Sequence, residues 1–133
     1  MEITAEAKYL RLSPKKAKFL AEAVRKLSPK EACEALEFKV KSGSEELIKL
    51  IKGAMANGKN NFKLDDNNLY IKSIEVLKGP VFKRWQPVSR GMAHSIKKRT
   101  SHIRIVLAEN QKSTIKNQKL SIKTEKEENG TKS

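Results

Sequence analysis

His94, His102 and Cys33 are the only side chains of their kinds in this sequence, and they are the first candidates for proton transfer, metal ligation or nucleophilic attack near neutral pH. Each of those reactions needs partners. No Asp, Glu or Cys stands close to either histidine in sequence, so neither has a neighbouring carboxylate to orient it or a second ligand at metal spacing. A lone cysteine forms no intramolecular disulfide and anchors no cysteine metal cluster, which suits a reducing cytoplasm. Beside Ala32 and Ala35 it reads as a small buried side chain. Nucleophile elbow, phosphate loop and zinc signature are all missing. Catalytic residues, cofactors and metals are therefore not expected.

A different chemistry is written in the charges. Residues 76–108 carry 8 Lys/Arg and no Asp or Glu, whereas residues 1–75 carry 15 against 11 and residues 109–133 carry 6 against 4. More than half of the formal net charge of +14 thus sits in a quarter of the chain. Ordinary surfaces intersperse both signs, so an acid-free stretch of this length points to a polyanion in contact with it. Lys83, Arg84, Arg90, Lys97, Lys98, Arg99 and Arg104 supply cations that can neutralise phosphates and release counterions. Phe82 and Trp85 lie among them and could stack on a base or pack across their own hairpin. Arg11, Lys15, Lys16 and Lys18 form a second basic cluster near the start of the chain.

The elements that must position these groups are readable from periodicity. Ile3, Ala5, Ala7 and Tyr9 alternate with polar residues and predict a half-buried strand. Ser13-Pro14 supplies a cap and a preorganised first residue for a helix whose inner face is Ala17, Leu20, Ala21, Val24 and Leu27. Ser28-Pro29 repeats the signal, and Glu31 could close a reciprocal capping box on a short helix running to about Leu36. After Gly43, Ser44 is expected to cap a third helix with an apolar stripe of Leu47, Ile48, Leu50, Ile51, Ala54 and Met55, ending near Asn57-Gly58. Asp65-Asp66-Asn67-Asn68 is turn chemistry.

Leu69 to Leu77 then reads as a strand whose apolar phase slips near Ser73, the mark of a bulge, with Ile103 to Leu107 as its partner. The residues between are too polar for a core and reverse once, at Ser89-Arg90-Gly91-Met92. One hairpin reaching beyond the sheet accounts for them, with arms of about ten residues, or ~30 Å at ~3.3 Å per residue. Gly79-Pro80 at its entry and Gly91 at its reversal argue against a merely flexible basic loop. From Asn110 onward the composition lacks the apolar content to offset ordering entropy, so residues 110–133 are expected to be a disordered basic and polar tail. One domain, residues 1–109, is left.

Gly79-Pro80-Val81-Phe82-Lys83-Arg84, Pro87, Arg90-Gly91, Ala93 and Lys98-Arg99-Thr100-Ser101-His102-Ile103 resemble the large-subunit ribosomal protein twenty-two family. Arg11-Leu12-Ser13-Pro14-Lys15-Lys16-Ala17 and Ala54-Met55-Ala56-Asn57 resemble it too, in the same order, so the likeness spans about residues 1–109. It implies an α+β fold, three helices packed on a three-stranded antiparallel sheet with a long protruding hairpin at about 78–102. It implies a structural role in the large ribosomal subunit, with ribosomal RNA, neighbouring ribosomal proteins and the nascent peptide as partners. The RNA-binding set would then be Arg11, Lys15, Lys16, Lys18, Lys83, Arg84, Trp85, Arg90, Lys97, Lys98, Arg99, His102 and Arg104. Ser89, Arg90, Gly91, Met92 and Ala93 would form the hairpin tip lining the peptide exit tunnel, where changes alter responses to macrolides. The family often has basic residues at the positions of Val88 and Met92, so this tip is less charged than usual.

Two rival readings are weaker. A DNA-binding module would place its charge on a recognition helix, whereas here it lies on the hairpin. An anionic-membrane binder needs a helix with a strong apolar face opposite a basic one, and neither that nor a run of eighteen apolar residues occurs. The first residues also lack the charged and apolar segments of a signal peptide, so a cytoplasmic, ribosome-associated protein is expected.

Overall fold

The computed structural model describes residues 1–39 and 41–110. Its elements run β1 (Glu2–Leu10), α1 (Pro14–Val24), α2 (Pro29–Phe38), α3 (Ser44–Phe62), a short 3-10 turn (Asp66–Asn68), β2 (Leu69–Pro87), a second 3-10 turn (Ser89–Gly91) and β3 (Ala93–Glu109). The sheet order is β1-β3-β2, with both pairings antiparallel. This is the α+β architecture expected. The tail expected at residues 110–133 lies, apart from Asn110, outside the described residues.

Alternation on the central strand sets the core. Ile103, Ile105 and Leu107 of β3 face inward, opposite Ala7, Ala5 and Ile3 of β1 and Val76, Ile74 and Ile71 of β2. Leu20 and Val24 of α1, Leu36 of α2, and Leu47 and Ile51 of α3 close over them, all buried. Removing this apolar surface from water, at roughly 25 cal/mol per Å2, holds the body together.

Local signals explain the helix starts. Ser13 accepts from the Lys16 N–H at 3.4 Å with Pro14 opening α1. Ser28 and Glu31 form the predicted reciprocal box, with contacts of 3.4 Å and 3.1 Å. Glu45 and Glu46 sit in the first turn of α3, where its dipole favours negative charge.

Three expectations fail, each for a physical reason. Ser44 does not cap α3: Gly43 takes the cap position at φ 94, and the Ser44 hydroxyl instead donates to the Lys39 carbonyl at 2.8 Å. Nor does α3 stop at Asn57-Gly58, since it continues to Phe62 and ends with Lys63 in the left-handed region at φ 52. Gly58 serves close approach, because a Cβ there would lie 2.6 Å from Ile3 Cδ1 of β1. Finally, Tyr9 does not continue the inward row of Ile3, Ala5 and Ala7. The pairing of β1 with β3 shifts between Ala7 and Leu10, Tyr9 turns out at φ 57, and Leu10 packs against the core in its place.

Two further irregularities lie on β2. The phase slip predicted near Ser73 is a register shift between Ile71 and Ser73. A second shift, between Lys78 and Val81, leaves Gly79-Pro80 opposite Thr100, whose hydroxyl donates to the Pro80 carbonyl at 2.6 Å. Proline fits a strand where a bulge releases it from donating. Any Cβ on Gly79 would strike the Thr100 side chain and come within 3.1 Å of its backbone carbon. This tight crossing marks where the hairpin leaves the body.

Candidate nucleic-acid interface

Beyond that crossing β2 and β3 continue as a two-stranded ladder, pairing Val81 with Arg99, Phe82 with Lys98, Lys83 with Lys97, Arg84 with Ile96, Trp85 with Ser95, Gln86 with His94 and Pro87 with Ala93. Of residues 80–99 only Val88 and Ile96 are even half-buried, and the rest are exposed. A hairpin with no third layer is marginal in water, so its order must be reinforced from outside.

The charges on the ladder point the same way. Lys83 and Lys97 are directly opposed, a cross-strand arrangement that repels. Arg99 and Lys83 with Lys97 line one face together with Trp85, while Lys98 and Arg84 share the other with Phe82. Trp85 is 68% exposed and stands opposite Ser95 in register, which leaves most of its surface open. Phe82 is 48% exposed, and the Arg84 guanidinium folds to 5.8 Å from its ring centroid while donating to the Lys83 carbonyl at 2.9 Å. The ring was visible in sequence but is placed in the site only by its register.

At the reversal, the Val88 N–H donates to the Met92 carbonyl at 2.9 Å. Arg90 and Gly91 are both left-handed, at φ 63 and 66. Glycine adopts this freely, whereas arginine does so against its steric preference. The turn thereby presents Ser89, Arg90, Gly91, Met92 and Ala93 as an exposed tip.

At the base, Arg11 joins the hairpin. A cleft of about 530 Å3 is lined by Arg11, Phe82, Arg84, Lys97, Lys98 and neighbouring residues up to Thr100. The strand-to-helix junction and the return arm, far apart in sequence, thus share one basic concavity. Lys15, Lys16 and Lys18 are exposed along α1, and Lys15 and Lys16 border a separate groove with Phe19 and Lys41. Lys41, whose ammonium sits 4.4 Å from the Phe19 ring centroid, had no signal in sequence because only the fold brings it to α1.

The remaining candidates sit differently. Arg104, on the outer sheet face, stands between Glu6 at 3.7 Å and Glu75 at 3.9 Å, so its charge is already answered. His102, on the same face, accepts the Tyr9 N–H at Nδ1 over 2.9 Å. Lys72 pairs with Glu2, holding that carboxyl below its ordinary range while being itself held above the usual lysine value. Cys33 is buried, and burial pushes its thiol up, away from the reactive thiolate. Among the described residues no cluster of His, Cys, Asp and Glu could hold a metal, and no helix is long and apolar enough to cross a membrane.

Comparison with known proteins meets this geometry. Residues 5–108, which take in the whole hairpin and all of the elements except the first residues of β1 and the last of β3, match the family described as Ribosomal protein L22p/L17e. "Large ribosomal subunit protein uL22" of Clostridium acetobutylicum is 42% identical over 109 residues, covering 82% of this chain and 98% of the relative. The proteins of the same name from Leptospira biflexa and Akkermansia muciniphila are 43% identical over 113 residues and 41% identical over 109. These cover 84% and 82% of this chain, and 97% of each relative. With that agreement running through body and hairpin alike, the chain belongs to the ribosomal protein L22p/L17e family.

Proposed function

We propose that the protein is a structural component of the large ribosomal subunit that binds large-subunit ribosomal RNA through its hairpin and supports assembly of the particle in the cytoplasm. The observation that carries this reading is the hairpin itself: residues 80–99 hold six Lys/Arg and no Asp or Glu, with lysines opposed across the ladder. Only a polyanion wrapped around it converts that repulsion into attraction. Phosphates are taken by Lys83, Arg84, Lys97, Lys98 and Arg99, with Arg11 closing the cleft at the base and Lys15, Lys16 and Lys18 extending the contact along α1. Trp85 offers an exposed ring for base stacking. Arg104, facing two carboxylates, has the least charge to offer RNA.

The tip is assigned to the nascent-peptide exit tunnel. Val88 and Met92 place apolar side chains on either side of Arg90, so one cation and a soft apolar surface face the passing peptide. The body contacts neighbouring ribosomal proteins and no catalytic step is involved. Residues 110–133 lie beyond the matched family region, and removing residues 111–133 should leave folding and incorporation largely intact.

Sedimentation tests the assignment. The protein should remain with large subunits after a high-salt wash, and Lys97→Ala/Lys98→Ala/Arg99→Ala should lower its occupancy. Met92→Ala should leave occupancy near normal and change a translation-arrest or macrolide response. Release of the wild-type protein by the wash, or normal occupancy of the triple variant alongside loss of the tip variant, would contradict it.

A further inference from the structure

Tyr9 is a non-glycine residue at φ 57, in a backbone region that L residues disfavour. The bulge it occupies directs its N–H onto His102 Nδ1 at 2.9 Å, and its ring meets the imidazole edge-on, with centroids 4.8 Å apart at 88°. Strained backbone held in place by a specific contact is a feature of functional sites. An N–H can be accepted only by a ring nitrogen with a free lone pair, so Nδ1 carries no proton. The single proton of the neutral ring then lies on Nε2. Among the described residues that nitrogen has no hydrogen-bond partner, and it is not a buried orphan, since Ser101 Oγ is the only one among them.

We propose that His102 is a neutral hydrogen-bond donor of fixed orientation, aimed at an oxygen of the RNA sugar-phosphate backbone, and that the Tyr9 backbone N–H is the group that positions it. The proposal rests on the RNA-binding reading above and adds a contact that is not cationic. His102 faces Leu77 of β2 in register and Tyr9 of β1, while Glu6 and Glu75, one row further along the sheet, are turned to Arg104. Among the described residues, the carboxylates nearest in register are therefore engaged elsewhere and leave Nε2–H open. The ring stands four residues after Lys98 on the same strand and by alternation on the same face, so an RNA backbone leaving the basic cleft that Lys98 lines would run onto the body past it. A neutral donor there recognises geometry without adding to counterion release.

The experiment compares the intact protein with His102→Asn and His102→Gln for binding to large-subunit ribosomal RNA transcribed in vitro, across a salt series. Asn keeps an acceptor for the Tyr9 N–H but no donor at Nε2 reach, whereas Gln restores a donor at that reach. His102→Asn should bind about five-fold more weakly with the same salt slope, the value of one neutral hydrogen bond, and His102→Gln should recover most of the loss. Transcripts carrying 2′-deoxy or phosphorothioate substitutions distinguish a ribose hydroxyl from a phosphate oxygen as the acceptor. Nitrogen-15 spectra of the RNA-free protein should show a pyridine-type Nδ1 and a pyrrole-type Nε2. A proton on Nδ1, unchanged affinity in both variants, a slope that falls as for a lost cation, or loss of binding only in step with loss of thermal stability would each overturn the proposal. Failure of the wild-type protein to bind the transcript would instead remove the RNA reading, and the spectra would still decide the role of Tyr9.

Discussion

The body and the hairpin share two strands yet solve the problem of charge in opposite ways. On the body, several cations find partners within the chain: Lys72 with Glu2, Arg104 with Glu6 and Glu75, Lys52 with Glu37, Lys30 with the Asn67 amide. On the hairpin the sequence supplies no acid at all, and the register sets Lys83 against Lys97. The apolar residues divide in the same way. Ile103, Ile105 and Leu107 are sealed under helices, while Phe82, Trp85 and Met92 stand exposed on the extension of the same sheet. One region is therefore stabilised by what the chain buries, and the other is completed by what the chain binds.

Truncating the two regions should separate them most sharply. Ile105→Ala, at a fully buried position of the central strand, should cost about 2–5 kcal/mol in denaturant unfolding of the free protein. Phe82→Ala on the hairpin should stay within about 0.5 kcal/mol of wild type, as exposed substitutions do. Comparable losses at both sites would mean that the hairpin is built into the cooperative unit.

A smaller effect is expected at the helix start. Ser28→Ala removes one half of the capping box of α2 and should destabilise the free protein by about 1 kcal/mol, without changing the salt dependence of RNA binding. A change in that dependence would tie α2 to the interface. The smallest stability effect, and the only one with opposite signs in the two measurements, belongs to Lys97→Glu. Replacing one of two directly opposed lysines by a carboxylate should favour the free hairpin by a few tenths of a kcal/mol, roughly the scale of a cross-strand pair. Its RNA affinity should fall. If both free stability and RNA affinity fell, the ladder register between Lys83 and Lys97 would be wrong.

Much of this division was legible in the sequence because it depends on local chemistry. Ser13-Pro14 and Ser28-Pro29 mark helix starts through their own backbone and side-chain geometry, and acid-free charge over residues 76–108 needs no fold to be noticed. Two of the misreadings involved partners distant in sequence. Gly58 resembles a helix stop until Ile3 is seen against it, and Tyr9 fits the inward alternation until the β1 bulge turns it toward His102. Arg11 likewise appeared as part of a helix-start cluster, whereas the cleft it shares with Lys97 and Lys98 arises only when the return arm crosses the strand-to-helix junction.

The claim that the hairpin is completed by RNA is tested most directly by the salt dependence of binding. Association constants for large-subunit ribosomal RNA should be measured over a salt series with the wild-type protein and with Lys97→Ala/Lys98→Ala/Arg99→Ala. If all three cations neutralise phosphates, the slope of log K against log salt should become shallower by about 2–3 in the triple variant, at roughly 0.7–0.9 per contact. Equal slopes for the two proteins would contradict the account, because the cations of the return arm would then not be meeting phosphates.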